Sequence, residues 1–122
     1  MKPNILIAED DIFISEHLKQ ILNKLGYGVC GIVGSYDQAE AFINKNKLPD
    51  LALLDIRMHK EDQGIKIAKL LKTKDVPFIF ITSFSDQKTL KSALEQEPKG
   101  YILKPFTPED IKEAVEGVLV IC

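Results

Sequence analysis

Leu51-Ala52-Leu53-Leu54-Asp55 is a short, unbroken apolar run that ends on an acid. A strand covered on both faces reads this way, because neither side of its pleat meets water. Leu51 to Leu54 gain from such burial, whereas Asp55 would cost several kcal/mol there unless paired or metal-bound. In open α/β sheets the ligand site lies outside the carboxyl ends of the strands, and Asp55 stands at such an end.

The rest of the chain repeats this pattern on both sides. Upstream, Ile5-Leu6-Ile7-Ala8 runs into Glu9-Asp10-Asp11, and Val29 to Val33 reads as a second strand. Between them Ile14, Leu18, Ile21, Leu22 and Leu25 recur at helical spacing, with Gly26 as the stop. Ser35 and Gln38 form a capping-box pattern opening a helix that turns Ala39, Phe42 and Ile43 inward. Downstream, Arg57 to Gln63 reads as a polar loop. Gly64 precedes a helix with Ile67, Ala68 and Leu71 on one side.

Val76 to Ile81 is the fourth strand, with Pro77 tolerated at its beginning. Ser85 is placed to cap a helix holding Leu90, Ala93 and Leu94. Tyr101-Ile102-Leu103 is the fifth strand, ended by Lys104-Pro105. Thr107, Pro108 and Asp110 form the cap, first position and acidic capping box of a last helix, with Ile111, Val115, Val118 and Leu119 inside. Strands alternating with helices predict a doubly wound α/β fold, a five-stranded parallel sheet in order 2-1-3-4-5.

Bulk properties agree. The chain has 122 residues, enough for one domain with a core and too few for two. It is 45% hydrophobic and 28% charged, the balance of an ordinary globular domain. Its net charge of -2 gives no pull toward nucleic acid or anionic membrane. No apolar run approaches the roughly 18 residues of a spanning helix, and the start does not read as a signal peptide. Cys30 and Cys122 lack metal-ligand spacing. Their separation leaves a disulfide open, and reduced thiols in a cytoplasmic protein are expected.

Order 2-1-3-4-5 puts the first and third strands side by side and gathers Glu9, Asp10, Asp55, Thr82 and Lys104 on one sheet edge. Three carboxylates in one cleft raise each other's pKa. A hard divalent cation relieves that repulsion, and Mg²⁺ suits oxygen ligands with room for water or phosphate. A carboxylate freed from repulsion can attack a phosphoryl group in line. Lys104 would neutralise a phosphoryl oxygen and the Thr82 hydroxyl donate to another. The expected product is an aspartyl phosphate on Asp55.

Glu9-Asp10-Asp11, Leu53-Leu54-Asp55, Thr82 and Lys104-Pro105-Phe106, in this order on these elements, closely resemble a response-regulator receiver domain. The resemblance runs from Ile5 to about Leu119. It implies Glu9 and Asp10 as Mg²⁺ acids, Asp55 as phosphoacceptor and further metal ligand, and the backbone carbonyl of Arg57 as another ligand. Thr82 becomes the switch hydroxyl, Lys104 the phosphate-pairing lysine and Tyr101 the switch aromatic. Lys104-Pro105 matches a bond usually cis in the family.

The implied activity is that of a two-component signalling domain that catalyses its own phosphorylation and dephosphorylation. Its phosphodonor is a histidine kinase or histidine phosphotransfer protein. The implied readout is the face of the fourth helix, fifth strand and fifth helix, through which a homodimer is also possible. Residues 1–122 are read as a single receiver domain without an effector domain, either a stand-alone regulator or the N-terminal part of a larger one.

The chain departs from the common pattern at several positions. The loop from Asp55 to Gly64 is one residue longer and lacks the usual proline. Ser83 and Phe84 stand where a small residue and the site's rim are expected. By the resemblance Arg57 and Phe84 flank the attacking-water path and are assigned to tuning dephosphorylation.

Plainer readings compete. Asp11 reads as a helix N-cap, Tyr101 as strand packing, and Cys30 as a small buried hydrophobe. His17 is placed on an exposed helix face and His59 in a solvent-facing loop, both without partners suggesting metal binding or catalysis. A phosphorylation-independent scaffold would lose acids that this chain keeps. A phosphatase of the haloacid-dehalogenase type needs a second aspartate where Arg57 stands. A flavodoxin-like phosphate loop would not carry Glu9-Asp10-Asp11.

Overall fold

The computed structural model describes residues 2–45, 47–83 and 86–119. Ten elements alternate: β1 (Asn4–Ala8), α1 (Ile12–Lys24), β2 (Gly28–Val33), α2 (Tyr36–Lys45), β3 (Leu51–Asp55), α3 (Gln63–Thr73), β4 (Phe78–Thr82), α4 (Gln87–Leu94), β5 (Gly100–Leu103) and α5 (Pro108–Leu119). The strands form one parallel sheet in order β2-β1-β3-β4-β5. The expected topology is therefore the observed one. Among the described residues no helix is long and apolar enough to cross a membrane.

Every residue of β3 is buried, and the two-residue period of a strand divides its apolar side chains between two layers. Ile5, Ile7, Leu51, Leu53, Ile79 and Ile81 pack with Leu18 and Leu22 of α1 and Ile111 and Val115 of α5. Leu6, Ala8, Ala52, Leu54, Phe78 and Phe80 pack with residues of α2, α3 and α4. Cys30 is half-buried against the second layer, and Cys122 lies outside the described residues. Each fully buried large side chain contributes roughly 1.5–3 kcal/mol, so two layers hold the sheet edge rigidly enough to present side chains there.

Local signals set the helix ends. Asp11 caps α1 by accepting the Phe13 and Ile14 N–H groups, and Gly26, at φ +94°, turns the chain out of it. Thr107 and Asp110 form the reciprocal box at α5, Asp110 Oδ2 accepting the Thr107 N–H at 2.9 Å and Thr107 Oγ1 accepting the Asp110 N–H at 3.1 Å. At α2 the box is shifted. Ser35 Oγ accepts the Gln38 N–H, but Gln38 Oε1 reaches past Ser35 to the Gly34 N–H at 2.7 Å.

Three expectations are corrected. Val76 and Pro77 precede β4, which begins at Phe78. Leu94 is 49% exposed, because the eight-residue α4 leads to the edge strand and buries only Ala93. Gly64 lies inside α3, one residue after its start, and donates its N–H to the Ile56 carbonyl at 3.0 Å. Ser85, assigned to cap α4, lies outside the described residues.

A Cβ on Gly64 would overlap the Asp55 carbonyl oxygen. Both groups are backbone and neither can rotate away, so α3 touches the end of β3 only because position 64 carries no side chain. Gly64→Ala is expected to destabilise the fold by about 3 kcal/mol or more, measured by equilibrium denaturation.

Candidate functional site

Parallel register brings the strand ends level. Ala8 pairs with Leu54, Asp55 with Ile81, and Thr82 with Leu103, so Glu9, Asp10, Asp55, Thr82 and Lys104 emerge along one edge. Glu9 is pinned through its backbone N–H to Val33 O at 2.9 Å, and Lys104 through its own to Thr82 O at 2.7 Å. The Lys104–Pro105 peptide is cis.

Lys104 Nζ lies 3.0 Å from Glu9 Oε1 and 3.3 Å from Asp55 Oδ2, so one ammonium bridges two buried carboxylates. Glu9 Oε2 also accepts the Asp11 N–H at 3.1 Å. Asp10 is more open and accepts the His59 N–H on Oδ2 at 2.9 Å. One oxygen from each of Glu9, Asp10 and Asp55 lies within 4.8 Å of the others. This all-carboxylate set fits a hard divalent cation, which takes oxygen ligands.

Burial pushes the Asp55 carboxyl up and the Glu9 charge pushes it further; with Lys104 offsetting part, its pKa stands at about 8. For Lys104 burial works against the charged form, but Asp55 and Glu9 outweigh it and hold the ammonium above its ordinary value. Burial also works to raise Asp10, but the His59 N–H, with smaller contributions from Glu9, its own backbone and the His59 ring, leaves it below the usual carboxylate value. The acid at the strand end is thus pushed toward its neutral form, and its open neighbour toward the ionised one.

A cleft lined by Asp55, Arg57, Lys60, Ser83, Asp86 and Lys104 opens beside the acids. A roomier concavity at the opposite strand edge, bounded by Lys72, Asp75, Pro77 and Lys99, is remote from them. Arg57 points its guanidinium at its own loop, donating to Lys60 O at 2.9 Å and facing Asp62 at 3.8 Å. Tyr101 is 40% exposed on the edge strand beside exposed Leu103, in the position that surface packing would give it. Phe84 lies outside the described residues. His17 is exposed as expected and stacks on Phe106 with ring centroids 5.7 Å apart.

Two placements differ from the sequence reading. His59 has a partner after all, since its backbone N–H and, at 3.9 Å, its Nδ1 face Asp10. The Thr82 hydroxyl is turned to a residue that pattern reading missed. It donates to Asp86 Oδ2 at 3.3 Å, which also accepts the Ser83 N–H at 2.8 Å and the Ser83 hydroxyl at 3.3 Å. Asp86 is buried and uses its carboxylate backward onto the β4 end instead of capping α4. The available signal was an acid four residues after Thr82, a spacing shared with many solvated helix starts.

Two measurements test these assignments. The folded Asp55 value lies above the unfolded one, so its contribution is present at low pH and lost as pH rises from about 3.8 toward about 8. Lys104, raised from 10.5, and Asp10, lowered from 3.8, titrate outside that window. In chelator, wild type is expected to lose thermal stability from about pH 5 to about pH 8, and Asp55→Asn to lose most of that slope. Asp86→Ala, which removes an acceptor shared by Thr82 and Ser83, is expected to destabilise by about 1–2 kcal/mol in denaturant titration.

Similarity to known proteins identifies the domain. A family model for the response regulator receiver domain matches residues 5–116. Transcriptional regulatory protein PdtaR of Mycobacterium tuberculosis is 32% identical over 113 residues, 92% of this chain and 54% of that protein. The phyllosphere-induced regulator PhyR of Methylorubrum extorquens is 32% identical over 120 residues, 98% of this chain and 44% of that protein. The chain thus spans about half the length of these relatives. Among solved structures, the receiver domain of PhyR from Erythrobacter litoralis superposes with a TM-score of 0.85 at 30% identity, covering 98% of this chain and 92% of that one. A CheY-like receiver protein of Methanospirillum hungatei gives 0.82 at 29% identity over 95% and 92%. With a family model matched over residues 5–116 and the expected sheet order β2-β1-β3-β4-β5, the chain belongs to the response regulator receiver domains.

Proposed function

We propose that Asp55 is the phosphoacceptor of a Mg²⁺-dependent signalling switch. The observation that carries this reading is the Lys104 ammonium set between Glu9 and Asp55, with Asp10 closing an oxygen cluster beside them. Glu9, Asp10, Asp55 and the Arg57 carbonyl would hold the ion. When bound, Mg²⁺ supplies positive charge to the acids and to the phosphoryl oxygens.

The chain's own groups do the rest. An Asp55 carboxylate oxygen attacks phosphorus as the bond to the donor histidine nitrogen breaks, and the electron pair leaves with the imidazole. Lys104, already charged, shifts from the Asp55 oxygen toward the new phosphoryl oxygens. The donor is a histidine kinase or histidine phosphotransfer protein, and the domain contributes the transfer chemistry itself.

Readout follows from Thr82. Its hydroxyl must leave Asp86 to donate to the phosphoryl group, which loosens the link between β4 and α4. A two-state element is biased in this way by one local exchange of partners. The output face is α4, β5 and α5, where Leu94, Tyr101 and Leu103 are exposed. Tyr101 is the aromatic that follows the threonine, and a homodimer would form through the same face. Arg57, which lines the cleft beside Asp55, tunes the lifetime of the phosphorylated form together with Phe84. The unit acts in the cytoplasm without contacting nucleic acid or membrane itself.

Incubation with a small phosphodonor and Mg²⁺, followed by intact-mass measurement, tests the reading. Wild type is expected to gain one phosphoryl group, and Asp55→Asn or wild type in chelator none. Equal labelling of wild type and Asp55→Asn would overturn the assignment. Arg57→Ala and Phe84→Ala are expected to change the decay rate of the labelled form, and unchanged decay removes them from the tuning role.

A further inference from the structure

We propose that the tight hairpin Met58–Glu61, fastened by Gln63, is a positioning device that holds Asp10 in the orientation needed for cation binding. This rests on Asp10 being a metal ligand, as proposed above. The hairpin lies in the loop between β3 and α3, beside the acid cluster.

Met58 and Glu61 exchange both backbone hydrogen bonds, Met58 N–H to Glu61 O at 2.9 Å and Glu61 N–H to Met58 O at 3.0 Å. The two residues between them have positive φ, 53° at His59 and 62° at Lys60. A two-residue turn with both centres in the left-handed region favours Asn and Gly, and His and Lys sit there under strain. Such strain persists only where the surroundings over-determine the conformation, and it marks places where the geometry has a use.

The surroundings do over-determine it. The Met58 side chain is fully buried. Gln63 Nε2 donates to Met58 O at 3.3 Å, while its Oε1 accepts the Tyr36 N–H at 2.8 Å, so the hairpin base is tied to the start of α2. Arg57 Nη2 holds Lys60 O at 2.9 Å from the other side. What the strained conformation delivers is the His59 N–H, aimed at Asp10 Oδ2 at 2.9 Å. Asp10 is the most open of the three acids and stands two residues past the end of β1, with its side chain 28% exposed. One oxygen fixed by a backbone donor leaves the other presented to the ion, which is how outer groups orient a ligating carboxylate.

The plain alternative is a surface turn whose bonds serve only its own folding. Titration with Mn²⁺ alone, followed by the loss of its free-ion resonance signal, separates the two. Gln63→Ala and Gln63→Glu both lose the donor to Met58 O, and Gln63→Glu keeps an acceptor for Tyr36. Both are expected to weaken Mn²⁺ binding by about tenfold. In the metal-free protein the His59 amide is expected to be protected from hydrogen exchange in wild type and to lose that protection in both.

His59→Gly keeps the N–H, removes the imidazole, and should bind Mn²⁺ nearly as wild type does. In an Asp10→Asn background Gln63→Ala is expected to cause no further loss, the non-additivity of groups acting through one ligand. Wild-type affinity in both Gln63 variants, or an equal loss with and without Asp10, overturns the positioning role and leaves the metal site standing. A loss in His59→Gly as large as in Gln63→Ala overturns it too, because the ring would then be the contact. Wild-type affinity in Asp10→Asn removes the metal assignment itself, and the positioning role with it.

Discussion

The site depends on one ammonium group. Asp55 and Glu9 are both buried at adjacent strand ends, and two carboxylates so placed cannot both ionise without a counter-charge. Lys104 Nζ supplies it from the far end of the sheet, within 3.3 Å of each. Its backbone is fixed to Thr82, so it comes from a defined place instead of from a mobile loop. One lysine still leaves the cluster with an excess of negative charge. The remaining demand suits the cluster to a further positive charge.

Much of this was legible in the sequence, for a physical reason. A strand buried on both faces admits few polar residues, so Asp55 at the end of Leu51–Leu54 stood out, and the register of a parallel sheet then located its neighbours without further information. The caps at Asp11 and at Thr107 with Asp110 were readable because both partners lie within three residues of each other. What could not be read were polar contacts between distant segments or onto main-chain groups. Gln63 bonding Tyr36 N–H, His59 N–H on Asp10, and Gln38 reaching Gly34 instead of Ser35 leave no periodicity and need no particular partner side chain. Asp86 was hidden for a related reason, since an acid at a helix start has an ordinary use that here it does not serve.

The family match covers residues 5–116, and within it the loop after β3, Arg57 to Gln63, has a local structure of its own. Its left-handed His59 and Lys60, its buried Met58 and its guanidinium folded onto Lys60 O make this stretch a small structured body beside the acids.

The absence of a side chain at Gly64 has a mechanical meaning as well as a steric one. With α3 resting on the Asp55 carbonyl and bonded to Ile56, main-chain contacts tie that helix to the sheet. On the other flank α4 is short, buries only Ala93, and is joined to β4 through the side chain of Asp86. The acid cluster therefore has a backbone-locked helix on one flank and a side-chain-tethered one on the other. The phosphorylation proposed at Asp55 would meet resistance from α3 and yielding from α4, and that asymmetry in compliance would give the proposed signal its direction.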